Sequence, residues 1–111
     1  MIDCYQFGEI VIKGKKYASD VIICPSGVSS WWRKEGHQLH IEDLAKVIKE
    51  KPEVLVVGTG KYGIVAVLPE TQQWLEEHGV ELIAQDTDQA CRTYNQLCSS
   101  RKVMAALHLT C

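Results

Sequence analysis

Much of what would announce a function is missing from this chain of 111 residues. Nowhere do roughly eighteen apolar residues run together, which excludes a membrane-spanning helix of ordinary length. No Cys-x-x-Cys pair occurs: Cys4, Cys24, Cys91, Cys98 and Cys111 are odd in number and scattered. Neither a disulfide framework nor a zinc knuckle is therefore written in the chain, and no metal is expected. Charge of neither sign dominates, with 12 basic against 14 acidic residues, so no strong field for nucleic acid or an anionic membrane is implied. The first residues, MIDCYQFGEIVIKG, lack the basic start and unbroken apolar centre of a signal peptide. These absences predict a soluble, cytoplasmic protein without membrane insertion, nucleic-acid partner or cofactor.

What remains is an ordinary globular composition, 46% hydrophobic, in a length that fits one domain. Such a domain buries roughly 65% of the surface its unfolded chain exposes, enough for a core without staples. Tyr5–Lys13 and Tyr17–Cys24 alternate in the manner of strands around a Gly14-Lys15 turn, which predicts a hairpin. Pro25–Gln38 is rich in turn residues and predicts a long packed-down loop. From Ile41 the spacing of Ile41, Leu44, Val47 and Ile48 predicts a helix ending before Pro52. Val54–Val57 is a continuous apolar strand of the kind buried in a parallel sheet. Pro69 opens a second helix that Gly79 closes, and Val80–Ala84 forms another strand. Thr87 is placed as N-cap of a third helix whose inner face carries Ala90, Cys91, Tyr94, Leu97 and Cys98. Val103–Leu109 is the last strand. A hairpin followed by alternating helices and strands argues a single three-layer α/β domain over residues 1–111, its mixed central sheet flanked by helices.

Three stretches could carry chemistry. GTGKYG, Gly58–Gly63, follows a strand as phosphate-binding turns do, so Gly58, Thr59 and Gly60 are candidates for an anion site. The IVAVL behind it, however, looks extended rather than like the helix that a dinucleotide fingerprint opens into. A tight turn is the simpler reading, with positive φ at one of the glycines. The second stretch, WWRKEGH, sets Trp32, Arg33 and His37 in one loop. The guanidinium offers paired donors and the imidazole a titratable one for a carboxylate or phosphate. Alternatively one tryptophan packs beneath the loop while Arg33 pairs with Asp20. The third is the tail LHLTC, where the carboxylate beside Cys111 opposes a thiolate nucleophile and favours a docked strand end over redox chemistry.

Taken in order, FGEIVIKG, the strand beginning at Asp20, WWRKEGH, VLVVGTG, the helix from Thr87 through Tyr94 and Asn95, and HLTC resemble the adipogenesis-associated domain family. That family has no known function and also contains a mitochondrial respiratory complex I assembly factor. The resemblance runs from Phe7 to Cys111. It implies a mixed-sheet α/β domain and no established catalytic activity. Asp20, Trp32, Arg33, Gly36, Gly58, Gly60, Thr87, Tyr94, Asn95 and Cys111 match its pattern, while His37, directly behind Gly36, departs from it. The expected function is accordingly a non-catalytic protein-interaction or assembly module with an unknown protein partner. The alternative is a small-molecule or anion-binding protein, with catalysis left open, built on the Gly58–Gly60 turn and Arg33.

Overall fold

The computed structural model describes residues 1–111. Its first layer is a three-stranded meander, β1 (Ile2–Gln6), β2 (Glu9–Ile12) and β3 (Lys15–Tyr17), in that spatial order. Gly8 and Gly14 supply the positive φ that its two tight turns require (79° and 80°). The expected hairpin is thereby corrected. Ile10–Ile12 does pair with Lys15–Tyr17, but Val21–Cys24 leaves for a second sheet. The reason is burial: all four residues of that stretch are buried, and only a strand with cover on both faces offers that.

The second sheet has five strands. These are β4 (Val21–Cys24), β5 (Gly27–Ser30), β7 (Val54–Thr59), β9 (Glu81–Gln85) and β10 (Val103–His108), ordered β5-β4-β10-β7-β9. β10 runs parallel to β7, β7 parallel to β9, and β4 antiparallel to both β10 and β5. The expectation that Pro25–Gln38 is wholly irregular is also corrected, because Gly27–Ser30 forms an edge strand hydrogen-bonded to β4. A short parallel pair, β6 (Gln38–Leu39) with β8 (Ala66–Val67), ties the remainder of that loop to the segment after β7.

A 3-10 turn (Ile41–Leu44) leads into α1 (Ala45–Glu50), which stops at Lys51, left-handed at φ 49°. α2 (Pro69–Glu77) begins on proline and is closed by Gly79, and α3 (Thr87–Leu97) follows β9. Strand alternation divides the central sheet into two apolar faces. Val21, Ile23, Val54, Val56, Val103, Ala105 and Leu107 face the meander and α3, together with Ile10, Ile12, Ala90 and Tyr94. Ile22, Leu55, Val57, Met104 and Ala106 face the other way, against Leu44, Val47 and Leu75 of the helices from residue 41 onward and the buried Trp31. The three-layer mixed α/β domain expected from periodicity is the fold observed.

One cap differs from expectation. Asp86, not Thr87, caps α3, its carboxylate accepting from the Gln89 N–H at 3.0 Å. Thr87 is the first helical residue, and its hydroxyl is spent elsewhere.

Candidate functional site

The parallel strands β7, β9 and β10 all end at one edge of the sheet, where ligands collect in open α/β folds. β4, being antiparallel, begins there. Its preceding residue Asp20 thus lies beside the end of β10, which is His108.

Asp20 is the hub. One carboxylate oxygen accepts from the Leu109 N–H at 2.8 Å. The other lies 2.8 Å from Arg33 Nη1 and 2.7 Å from His108 Nδ1. Burial alone would push the Asp20 carboxyl up, but the bonds from His108, the Leu109 amide and Arg33 outweigh it and hold the group below its ordinary range. Arg33 is itself nearly enclosed, with 6% of its side chain exposed. Its Nε and Nη2 donate to the Gly36 carbonyl at 3.2 and 3.0 Å, Nη2 lies 2.9 Å from His108 Nδ1, and the guanidinium sits 4.7 Å from the Trp31 ring centroid. Both parts of the bland expectation hold: Trp31 packs beneath the loop and Arg33 pairs with Asp20.

The loop carrying Arg33 is fixed by Asp43, which accepts from the Lys34 and His40 N–H groups at 2.8 and 2.9 Å. Trp31 Nε1 donates to the Asp43 carbonyl. His37 reaches across to the last residues, its Nε2 lying 2.9 Å from the main-chain oxygen of Cys111, which also lies 2.9 Å from His108 Nε2. The two imidazoles meet edge to face with centroids 6.2 Å apart.

From the other side comes the glycine turn. Gly60 has φ 105°, and its N–H donates to Thr87 Oγ1 at 2.9 Å, which in turn donates to the main-chain oxygen of His108 at 2.6 Å. The Gly60 carbonyl accepts from the Thr87 N–H, and the Lys61 N–H donates to the Thr110 carbonyl. Thr59 Oγ1 donates to the Gln85 carbonyl, joining the ends of β7 and β9. Tyr5 donates from the meander to the Leu109 carbonyl at 2.8 Å, and burial with help from nearby Asp88 pushes its phenol up to about 12.

Asp20, Arg33, His37, Gly60, Thr87 and Cys111 therefore converge on His108, with Gly58 and Thr59 in the adjoining strand. Trp32 does not join them: it points outward and is 78% exposed. The turn N–H groups of Gly60 and Lys61 and the polar atoms of Arg33 are engaged by the chain itself, so the cluster binds a loop and a strand end to the sheet edge. His108 and Asp43 escaped the sequence reading. The signal for His108 was a polar side chain inside an otherwise apolar central strand, VMAALHL, which demands a buried partner.

The depressed Asp20 carboxyl gives a pH prediction. An unfolded aspartate titrates near ~3.9. A folded value below that contributes stability that is complete above the unfolded value and lost as pH falls through the folded one. Urea midpoints measured from pH 6 down to pH 2 should drop below about pH 4 in the wild type. Asp20→Asn, less stable at neutral pH, should show a shallower drop; parallel acid limbs would contradict the assignment.

The fold places the chain among small mixed α/β domains with known solved examples. The crystal structure of a conserved hypothetical protein from Pyrococcus horikoshii OT3 superposes with a TM-score of 0.91 at 32% identity, covering 100% of this chain and 99% of that one. A Bordetella pertussis protein described as a Mth938-like domain superposes at 0.69 with 25% identity, covering 98% and 85%. Residues 2–108 match the family described as protein of unknown function (DUF498/DUF598), and the chain belongs to that family. A relative from Xenopus tropicalis, named NADH dehydrogenase (ubiquinone) 1 alpha subcomplex assembly factor 3, is 29% identical over 107 residues, 95% of this chain and 58% of the relative. The chain thus spans little more than half the length of the curated relatives it matches. Those relatives carry the assembly-factor name and not the adipogenesis-associated one.

Proposed function

We propose that this protein is a non-catalytic interaction module that takes part in the assembly of a protein complex. The observation that carries the reading is the internal closure of the sheet-end cluster: Arg33 spends its donors on Asp20 and Gly36 and stacks on Trp31. With the cluster closed on itself, the large apolar side chains at the surface are the groups best suited to a protein contact. Trp32, Tyr62, Phe7 and Ile64 are exposed at 78%, 72%, 54% and 47%. Two of their loops share one support, since the Gly8 N–H donates to the Leu109 carbonyl and the Lys61 N–H to the Thr110 carbonyl. Large apolar groups on a rigid frame are the usual anchors of protein contacts. The assembly-factor name of the relatives supports the same reading, and a cytoplasmic setting, in keeping with five unpaired cysteines, belongs to the proposal.

The test compares wild type with Trp32→Ser, a surface change expected to leave stability within about 0.5 kcal/mol. Affinity capture should recover a defined protein complex with wild type, and the same complex reconstituted from purified components should bind Trp32→Ser about tenfold more weakly. Calorimetric titration with inorganic phosphate should give no heat of binding in the micromolar range. Micromolar phosphate binding to the wild type, with undiminished complex recovery by Trp32→Ser, would overturn the proposal in favour of the anion-binding alternative.

A further inference from the structure

The sheet-end cluster leaves one chemically distinctive cavity unused, on the far side of the meander. It opens between the β2–β3 turn, the β4–β5 turn and α3, with a volume of about 320 Å³. Ile12, Tyr17, Ile23 and Val28 make its apolar wall, Tyr94 closes one side, and Lys13 and Lys15 border it. That size lies at the lower end for small-molecule sites, which are mostly apolar with a few polar groups fixing orientation.

Tyr94 is the informative residue. It is only 8% exposed, yet its hydroxyl makes no hydrogen bond within the chain, and it is not among the side-chain atoms sealed from solvent. The ring is buried while the O–H stays open to solvent, free to donate to a ligand. Burial, with Cys98 and Cys24 nearby, pushes the phenol up, so at neutral pH it is a donor without charge. The second observation is charge. Lys16 is paired with Glu9, whereas neither Lys13 nor Lys15 has a carboxylate partner; Lys15 Nζ lies 5.4 Å from the Tyr17 ring centroid. The acidic group at this turn, Asp3, accepts from the Gly14 N–H at 2.7 Å. Lys13 sits in the turn at φ 49°, and both lysines are exposed at the cavity's border.

An apolar wall, a solvent-accessible hydroxyl donor without a protein partner and two unpaired cations select an acceptor-bearing anion with a hydrocarbon body. We propose that this cavity binds a small monocarboxylate of the medium-chain fatty-acid or arylalkanoate class, its hydrocarbon against Ile12, Ile23 and Val28 and its carboxylate held by the lysines and the Tyr94 hydroxyl. The site is independent of the assembly role and of the sheet-end cluster.

The test is an NMR titration of the isotopically labelled full chain with octanoate, with octanol as its uncharged counterpart and acetate as the head group alone. Octanoate should shift resonances of Ile12, Tyr17, Val28 and Tyr94 selectively, with octanol binding about tenfold more weakly and acetate not saturating. Tyr94→Phe, which removes only the hydroxyl, should weaken octanoate about fivefold while leaving the amide spectrum folded. Lys13→Asn with Lys15→Gln should abolish the preference for octanoate over octanol, asparagine being chosen because it tolerates the left-handed backbone. Equal binding of octanoate and octanol, indifference to Tyr94→Phe, or shifts elsewhere on the surface would overturn the assignment. So would shifts at this cavity that depend on protein concentration without ligand, which would mean that a second copy fills it.

Discussion

Gly60→Val is expected to lower the unfolding free energy by about 3–5 kcal/mol, the sum of a strained backbone and a forced overlap. The residue sits at φ 105°, where a branched side chain has no relaxed conformation. A Cβ placed there would stand 2.8 Å from the Thr110 carbonyl oxygen and 2.9 Å from His108 Cδ2. Backbone cannot swing aside as a side-chain tip can, and His108 is held by Asp20. Gly58→Val should also destabilise, but for a different reason. Its Cβ would meet Leu107 Cδ2 and Thr87 Oγ1, both at 2.9 Å, with no positive φ to add. Urea denaturation should therefore rank wild type above Gly58→Val and Gly58→Val above Gly60→Val. Wild-type midpoints for both would refute the turn as a structural requirement.

Arg33→Ala is expected to cost about 3 kcal/mol, because removing one partner leaves Asp20 as a mostly buried charge with less compensation. Asp20 keeps 19% of its side chain exposed, which places the effect at the lower end for a broken buried pair. Truncation also strips the cover from Trp31 and the donor pair from the Gly36 carbonyl, so the loop loses its clasp along with the charge. Arg33→Lys should recover only part of the loss, since an ammonium keeps the charge but not the planar fork that reaches Asp20 and Gly36 together. A double-mutant cycle with Asp20→Asn is the decisive measurement, with strong non-additivity expected for groups in contact. Additive effects would mean that Arg33 stabilises the protein through packing alone.

The elements with strong local signals were legible from sequence. Val54–Val57 reads as a buried strand because nothing in it tolerates water, and Pro69 with Gly79 brackets α2 by their backbone restrictions alone. What stayed hidden depends on chain segments far apart. Whether Val21–Cys24 continues a hairpin or enters the central sheet is decided by cover on both its faces, and much of that cover comes from segments far along the chain, Ala90 and Tyr94 on one face and Leu44, Val47 and Leu75 on the other. Thr87 looked like a cap because threonine before a helix usually is one, but the hydroxyl is claimed by Gly60 and His108. The Arg33–Asp20 pair was within reach of sequence because both flank the same strand-and-loop unit. His108 was not, since only the antiparallel placement of β4 beside β10 brings it to Asp20.

The position of β10 constrains how the protein can be made. It lies between β4 and β7 in the sheet, yet it is translated after both. Until residues 103–108 have left the ribosome, the two halves of the sheet have no common strand, and each presents an unpaired edge flanked by apolar side chains. Pairing β7 with β10 also closes a long stretch of chain, a slow step compared with forming the local meander. A nascent chain halted before residue 103 therefore carries two sticky strand edges, the form in which chaperones would meet it and in which it would aggregate.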